Sequence, residues 1–152
     1  MWQNARDIYL EERILSADPV ELVHLLYQGC ATAVQDARRY LAERDIRARA
    51  RAISKACDIL MELASSLDHQ RGGAMSERLA QLYGYMHARL VDANAQQTED
   101  GLIEVGRLLA TLQEGWEGVR EQRRKSAGSS TAWMPAASPE LELAQASGCW
   151  SF

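Results

Sequence analysis

The chain has 152 residues, an apolar share of 47%, a charged share of 25% and a formal net charge of −4 at pH 7. This length and composition predict one soluble globular domain with some additional chain. No basic stripe with interleaved aromatic residues is present, which excludes nucleic acid as the main partner. No apolar run approaches the roughly 18 residues of a membrane span or forms a signal-peptide core, so we expect a cytoplasmic protein with no membrane insertion.

Residues 1–15 are predicted to form a short arm that carries apolar side chains, among them Ile8 and Tyr9, between charged ones. Because these apolar residues share a helical face only loosely, any helix here is short. Two interpretations stay open. The arm either caps one end of the domain or covers a binding groove until a partner displaces it.

Residues 19–43 carry an apolar stripe that predicts the first helix. Asp18 suits the N-cap, Pro19 suits the first helical position, and Glu21 lies three residues after the cap, where a carboxylate favours the helix dipole. The stripe that follows keeps helical spacing. It consists of Leu22, Leu26, Gly29, Ala33, Ala37 and Tyr40.

A very short connection and a strict heptad pattern predict the second helix. Asp45 is the expected N-cap, and the short connection makes the first two helices antiparallel neighbours. Apolar residues then alternate at intervals of four and three, which is the spacing of a helical seam. The seam consists of Ile46, Ala50, Ile53, Cys57, Leu60, Ala64 and Leu67.

Two further helices follow a predicted break at residues 68–73 (DHQRGG), where paired glycines favour a turn. The third helix runs from Ala74 or Ser76 to Gln96, and Thr98 is the expected N-cap of the fourth. Both helices have apolar faces with helical spacing. These faces are Met75, Leu79, Leu82, Met86, Leu90 and Ala93 on the third helix, and Leu102, Val105, Leu109, Leu112, Trp116 and Val119 on the fourth.

Four helices joined by short turns predict an all-α fold, an antiparallel up-down-up-down four-helix bundle over residues 16–125. Beyond Ser126 the composition becomes small and polar, which predicts a disordered tail over residues 126–152. Trp133, Trp150 and Phe152 stand out in this tail. They are either there by chance or form a docking motif for another protein.

Few residues in the sequence are typical of catalysis. Glu21 and His24 have the Glu-x-x-His spacing of di-metal bundles, but no second copy exists, so no metal site is expected. His24 or His87 could serve a phosphotransfer bundle, which is retained as an alternative function. Because no phosphate loop, nucleophile elbow or zinc spacing occurs, we expect no enzyme and no cofactor. Function is expected to depend on a surface, and an apolar groove between helices could receive an amphipathic segment of another chain.

Six stretches, in order and with matching turn lengths, resemble the FliS family of flagellin-specific export chaperones. The most specific are similar to the family patterns ASP-x-x-L-x-x-x-L-[YF]-x-G and L-x-x-L-Y-x-Y-[MI]-x-x-R-L-x-x-A-N. The likeness covers about residues 4–120. The stretches are the arm around Tyr9, SADPVELVHLLYQGC (16–30), AISKACDIL (52–60), LDHQRGG (67–73), LAQLYGYMHARLVDAN (79–94) and WEGVR (116–120).

The resemblance implies a cytosolic chaperone that binds the disordered C-terminal segment of flagellin, prevents its premature polymerisation and delivers it to the flagellar type III export gate. It implies no nucleotide and no catalysis. A helix-binding adaptor stays open beside the phosphotransfer alternative, and so does a homodimer.

The resemblance also implies client-binding residues on the arm and on the first three helices. Some of these side chains are expected to belong to the core. Asn94 matches a polar residue of the family, for which we expect a hydrogen bond at the end of the third helix. The implied client-binding residues are Ile8, Tyr9, Leu22, Leu26, Tyr27, Ile59, Leu63, Tyr83, Met86 and Leu90.

Overall fold

The computed structural model describes residues 19–133, and these residues form four α-helices. The helices are α1 (Pro19–Ala42), α2 (Ile46–Ser65), α3 (His69–Gln96) and α4 (Asp100–Trp133). No strand occurs within this range, which confirms the predicted all-α class. None of these helices combines the length and the apolar character that crossing a lipid bilayer requires.

Connections at residues 43–45, 66–68 and 97–99 join the helices and make each one antiparallel to the next. Helix α1 packs against α2 and α4, and α3 packs against the same two helices, so the four form a closed ring. The predicted up-down-up-down bundle is confirmed. Its core is apolar, and its largest fully buried apolar side chains are Leu60, Leu63, Met86, Leu90, Leu102 and Leu109.

The predicted seams are confirmed in the middle of each helix and are wrong at Ile46 and Met75. Ile53, Cys57 and Leu60 are buried as expected. Ile46 and Met75 are each 57% exposed. Ile46 is the first residue of α2, and Met75 lies just after the kink in α3. Both are near an end of the bundle, where fewer neighbouring helices cover the apolar face.

Helix α3 begins earlier than the sequence pattern predicts. The Asp68 side chain caps it by accepting hydrogen bonds from the backbone N–H groups of Gln70 (3.1 Å) and Arg71 (3.2 Å). The predicted break is reduced to one residue, Gly73, with φ +50° and ψ −125°. A positive φ is accessible to glycine because it has no Cβ, so the chain kinks at this position and continues as helix.

Helix α4 continues to Trp133, and the prediction that the helix stops before Ser126 is therefore wrong. Serine and alanine do not break a helix, so the small residues that follow Lys125 are compatible with its continuation. Residues 134–152, and the arm with Ile8 and Tyr9, lie outside the described residues.

The end of the bundle where α1 finishes, which we call the closed end, is held by polar groups. Asp45 caps α2 as predicted and accepts from the Ala48 N–H at 3.1 Å. Arg49, only 4% exposed, donates through Nε to the Asn94 side-chain oxygen (3.1 Å) and through Nη2 to the Asn94 carbonyl (3.4 Å). A guanidinium suits the carbonyls of a helix C-terminus, so Asn94 makes the terminal hydrogen bond that the resemblance implied.

A close approach of α3 and α4 completes the closed end. A Cβ added to Gly101 would lie 3.0 Å from the Arg89 carbonyl oxygen and 3.1 Å from the Ala93 Cβ. The absence of a side chain at Gly101 therefore lets the two backbones approach each other. Arg38 on α1 forms an ion pair with Glu99 at 2.7 Å, which ties the first helix to the same connection.

Candidate functional site

An apolar cavity of about 360 Å³ lies at the opposite end of the bundle, which we call the pocket end. The start of α1, the end of α2 and the part of α3 after the kink meet here with the middle of α4. Among the described residues its lining consists of Pro19, Leu22, Val23, Leu26, Tyr27, Glu62, Leu63, Ser66, Leu67, Leu79, Tyr83 and Trp116.

The walls of this pocket are leucine side chains that the bundle buries only in part. Leu22 and Leu26 lie one turn apart on α1, Leu67 lies in the connection after α2, and Leu79 lies on α3; all four are half-buried. Such concave, mostly apolar surfaces with few polar groups are typical of binding sites. The pocket can therefore accept apolar side chains from a partner.

Three aromatic rings, those of Tyr27, Tyr83 and Trp116, form a buried cluster on this lining. The two tyrosine hydroxyls are 2.6 Å apart, and the Tyr27 ring packs edge-on against Trp116 at 6.2 Å between centroids. The indole N–H of Trp116 donates to the Val20 carbonyl at 2.9 Å. The cluster fixes α1, α3 and α4 relative to one another.

Burial also sets the protonation of the tyrosines. Desolvation raises the pKa of Tyr27 above the ordinary 10.0, because the phenolate would lose its hydration. Desolvation and the neighbouring Tyr27 raise the pKa of Tyr83 as well. Both phenols consequently remain neutral over the whole physiological range.

A charged network lies beside the pocket, between α1 and α4. Arg120 bonds Glu21 through Nε at 2.9 Å and Glu117 through Nη1 at 2.7 Å. The carboxylate of the Glu-x-x-His pattern thus binds an arginine. Within the described residues no group of three or more His, Cys, Asp or Glu is placed to hold a metal ion.

His24 lies inside this network. Its Nδ1 is buried without a hydrogen-bond partner among the described residues, 4.0 Å from a Glu117 oxygen. Burial and the positive charge of Arg120 lower its pKa below 6.5, and Glu21 and Glu117 oppose this shift. Because Nδ1 is buried, a phosphotransfer reaction at His24 would have to use the other ring nitrogen, Nε2.

The structure brings together half of the predicted client-binding residues. Leu22, Leu26, Tyr27, Leu63 and Tyr83 line the pocket. The other described candidates lie elsewhere. Ile59 is half-buried against Gly29, whereas Met86 and Leu90 are fully buried in the core and present no surface in this conformation.

Sequence reasoning did not select several residues that line the pocket. Leu67, Leu79 and Trp116 were predicted only as seam residues. The sequence signal for their role in the pocket is that, in an antiparallel bundle, these three seam positions lie near the same end. Pro19 and Val23 gave no signal, because a cap-adjacent proline and a valine between Leu22 and His24 are equally compatible with a solvated turn.

Comparison with known proteins gives a consistent result. Residues 1–123 match the family model described as flagellar protein FliS. The chain is 34% identical over 113 residues to the flagellar secretion chaperone FliS of Salmonella typhimurium, covering 74% of this chain and 84% of that protein. It is 35% identical over 114 residues to the flagellar secretion chaperone FliSB of Pseudomonas aeruginosa (75% and 90%). It is 28% identical over 123 residues to FliS of Bacillus subtilis (81% and 91%).

Proposed function

This chain belongs to the FliS family of flagellar secretion chaperones, and on that premise we propose that it binds the C-terminal segment of flagellin in the cytosol. By covering this segment it prevents premature polymerisation and assists delivery to the flagellar type III secretion apparatus. The observation that carries the proposal is the apolar pocket at one end of the bundle, with half-buried leucines on its walls.

An unassembled helical segment exposes an apolar face, and the pocket matches that chemistry. Burying one large apolar side chain is favourable by about 1.5–3 kcal/mol. Ordering a disordered segment costs about 2–5 kcal/mol or more, so a single anchor is insufficient. We therefore infer that the pocket takes one anchor of an amphipathic segment and that the rest of the segment follows grooves along the helices.

Binding along the bundle would also keep the client narrow enough for export. A segment laid along a preformed bundle keeps an extended path and does not need to form a core of its own. Binding needs no covalent chemistry, which agrees with a proposed non-enzymatic role. Recognition of the loaded bundle by a component of the export gate completes the proposed function.

Calorimetric titration with a peptide of the C-terminal segment of flagellin from the same organism tests this proposal. We expect 1:1 binding with a negative heat-capacity change, since apolar surface is buried, and no heat from a shuffled peptide of equal composition. Absence of binding by the authentic peptide would contradict the flagellin assignment.

A matched pair of variants localises the binding site. Leu26→Ser places a hydroxyl in the pocket wall and is expected to weaken binding at least tenfold. Val91→Ser changes a 49%-exposed residue near the closed end and is expected to leave binding unchanged. Equal losses in both variants would show that binding is not localised at the pocket.

A further inference from the structure

Two tyrosines that carry buried hydroxyl groups stand out among the residues that line the pocket. Tyr27 and Tyr83 are 2% and 3% exposed, and their oxygens are 2.6 Å apart. Most other groups of the lining are apolar. Phenylalanine would fill nearly the same volume at both positions without burying a polar atom, so the hydroxyls call for a reason beyond packing.

Counting protons shows that the pair is incompletely satisfied. Two neutral phenols carry two O–H protons, and their mutual hydrogen bond uses one of them. Within the described residues the second proton has no further acceptor. The polar neighbours do not supply one: the Trp116 indole nitrogen is a donor only, already bonded to the Val20 carbonyl, and the Cys30 thiol donates to the Ala56 carbonyl.

An unsatisfied donor in an apolar site carries a desolvation cost that the single bond of the pair does not fully offset. That cost is removed when a bound group accepts the second proton. The pair is therefore arranged to bind an occupant that brings an acceptor with its apolar side chains.

The acceptor is a neutral one. Among the described residues of the lining no side chain is cationic and Glu62 is the one charged group, so a carboxylate would be buried among leucines and repelled by Glu62. An amide oxygen fits: an Asn or Gln side chain has one, and the last turn of a helix has four backbone carbonyls without partners inside the helix.

We propose that the Tyr27–Tyr83 hydroxyl pair donates one hydrogen bond to an amide carbonyl of the bound segment and so makes the pocket select for more than apolar character. This inference rests on the proposed function and adds to it a specificity-determining pair. The pocket then recognises an apolar side chain together with a carbonyl group at a fixed position beside it.

The double variant Y27F/Y83F tests this inference by titration with the flagellin C-terminal peptide. Because it removes both partners of the bond, it is expected to fold at least as stably as the native chain. Its affinity for the peptide is expected to fall about 3- to 10-fold, the effect of one neutral hydrogen bond. The matched control is Y85F, since the Tyr85 hydroxyl donates to the Glu104 carboxylate on an exposed face outside the pocket.

A second measurement does not depend on folding of the double variant. In the full chain labelled with ¹³C at tyrosine Cζ, the single variants Y27F and Y83F assign the two resonances, because each variant deletes one of them. Addition of the peptide is expected to shift at least one of these resonances, since Cζ reports the hydrogen bonding of the hydroxyl.

The outcomes separate the two proposals. Undiminished peptide binding by the double variant, or binding that leaves both Cζ resonances in place, overturns the hydroxyl-pair inference and leaves the proposed function standing. Failure of the native chain to bind the peptide overturns both. A drop in affinity that Y85F shares also overturns the inference, because it is not specific to the pocket.

Discussion

The closed end and the pocket end of the bundle are built from different kinds of contact. At the closed end, Arg49 is held by Asn94, and Gly101 lets α3 and α4 approach at backbone distance. At the pocket end, large side chains such as Leu22 and Leu26 are only half-buried, and a cavity of about 360 Å³ lies between them. At the closed end, backbone approach and polar capping hold the helices together, whereas at the pocket end incompletely packed leucines leave an apolar cavity.

This difference indicates a division of roles along one bundle. The closed end contributes to the free energy of unfolding and fixes how the helices are arranged. At the pocket end the described helices leave part of their apolar surface unburied, and this is the surface that we propose for a partner. Substitutions at the two ends should therefore separate stability from binding.

The largest effect on stability is expected for Gly101→Ala. The new Cβ would meet the Arg89 carbonyl at 3.0 Å, and because a backbone atom cannot move aside, we expect the free energy of unfolding to fall by about 1–3 kcal/mol. Urea denaturation measures this change. Gly115→Ala on the same helix meets nothing within 4 Å and should instead stabilise by about 0.5–1 kcal/mol. Equal destabilisation by both substitutions would show that the close approach does not matter.

A somewhat smaller loss of stability is expected for Asn94→Ala. Its side-chain oxygen is an acceptor for the buried Arg49 guanidinium, and removing it should cost about 1–2 kcal/mol in the free energy of unfolding. Gln96→Ala, which removes a neighbouring exposed amide bonded to Asp92, should stay within about 0.5 kcal/mol. Neither variant is expected to change the affinity for the flagellin peptide, and a change would contradict the separation of the two ends.

For Leu22→Ala in the pocket wall we expect a loss of peptide affinity together with only a small loss of stability. Since this side chain is half-buried, its loss should lower the free energy of unfolding by only about 1 kcal/mol, roughly half the value for full burial. Peptide affinity should fall about 3- to 10-fold, because the partner loses an apolar contact. Denaturation and titration of the same sample give both numbers, and a loss confined to stability would assign Leu22 to the core.

The smallest effect is expected from pH. The folded-state pKa of His24 lies below the ordinary 6.5, so the unfolded chain binds a proton more readily than the folded chain does. The corresponding stability is complete above pH 6.5 and is lost as the pH falls toward the lower folded-state pKa. Comparing melting temperatures at about pH 7.5 and 5.5, we expect a larger decrease for the native chain than for His24→Leu. Equal decreases would assign the acid sensitivity to other groups.

Local patterns predict the fold well where the helix itself determines burial. The heptad spacing around Ile53 and Leu60 correctly identifies the buried face of α2, and Asp45 is the cap that its position indicates. The same spacing fails for Ile46, because burial there depends on whether another helix continues alongside. Arg49 was not predicted as a buried residue, since its acceptor, Asn94, lies 45 positions away.

The candidate site was less predictable, for a related reason. A bundle helix buries a face wider than one seam, so sequence alone could not separate Tyr83, which lines the pocket, from Met86 and Leu90, which fill the core. All three lie on the same face of α3. Their different roles depend on distance from the end of the bundle, which no periodicity encodes.

The hydrogen bond between the Trp116 indole and the Val20 carbonyl has a consequence for the timing of assembly. It joins the first and last helices, 96 positions apart. At about 5–20 residues per second, Val20 is synthesised roughly 5–20 s before Trp116. By the end of that interval the chain contains the pocket residues of α1, α2 and α3 but not yet Trp116. Completion of the pocket therefore coincides with synthesis of the last helix, and a prematurely terminated chain cannot form it.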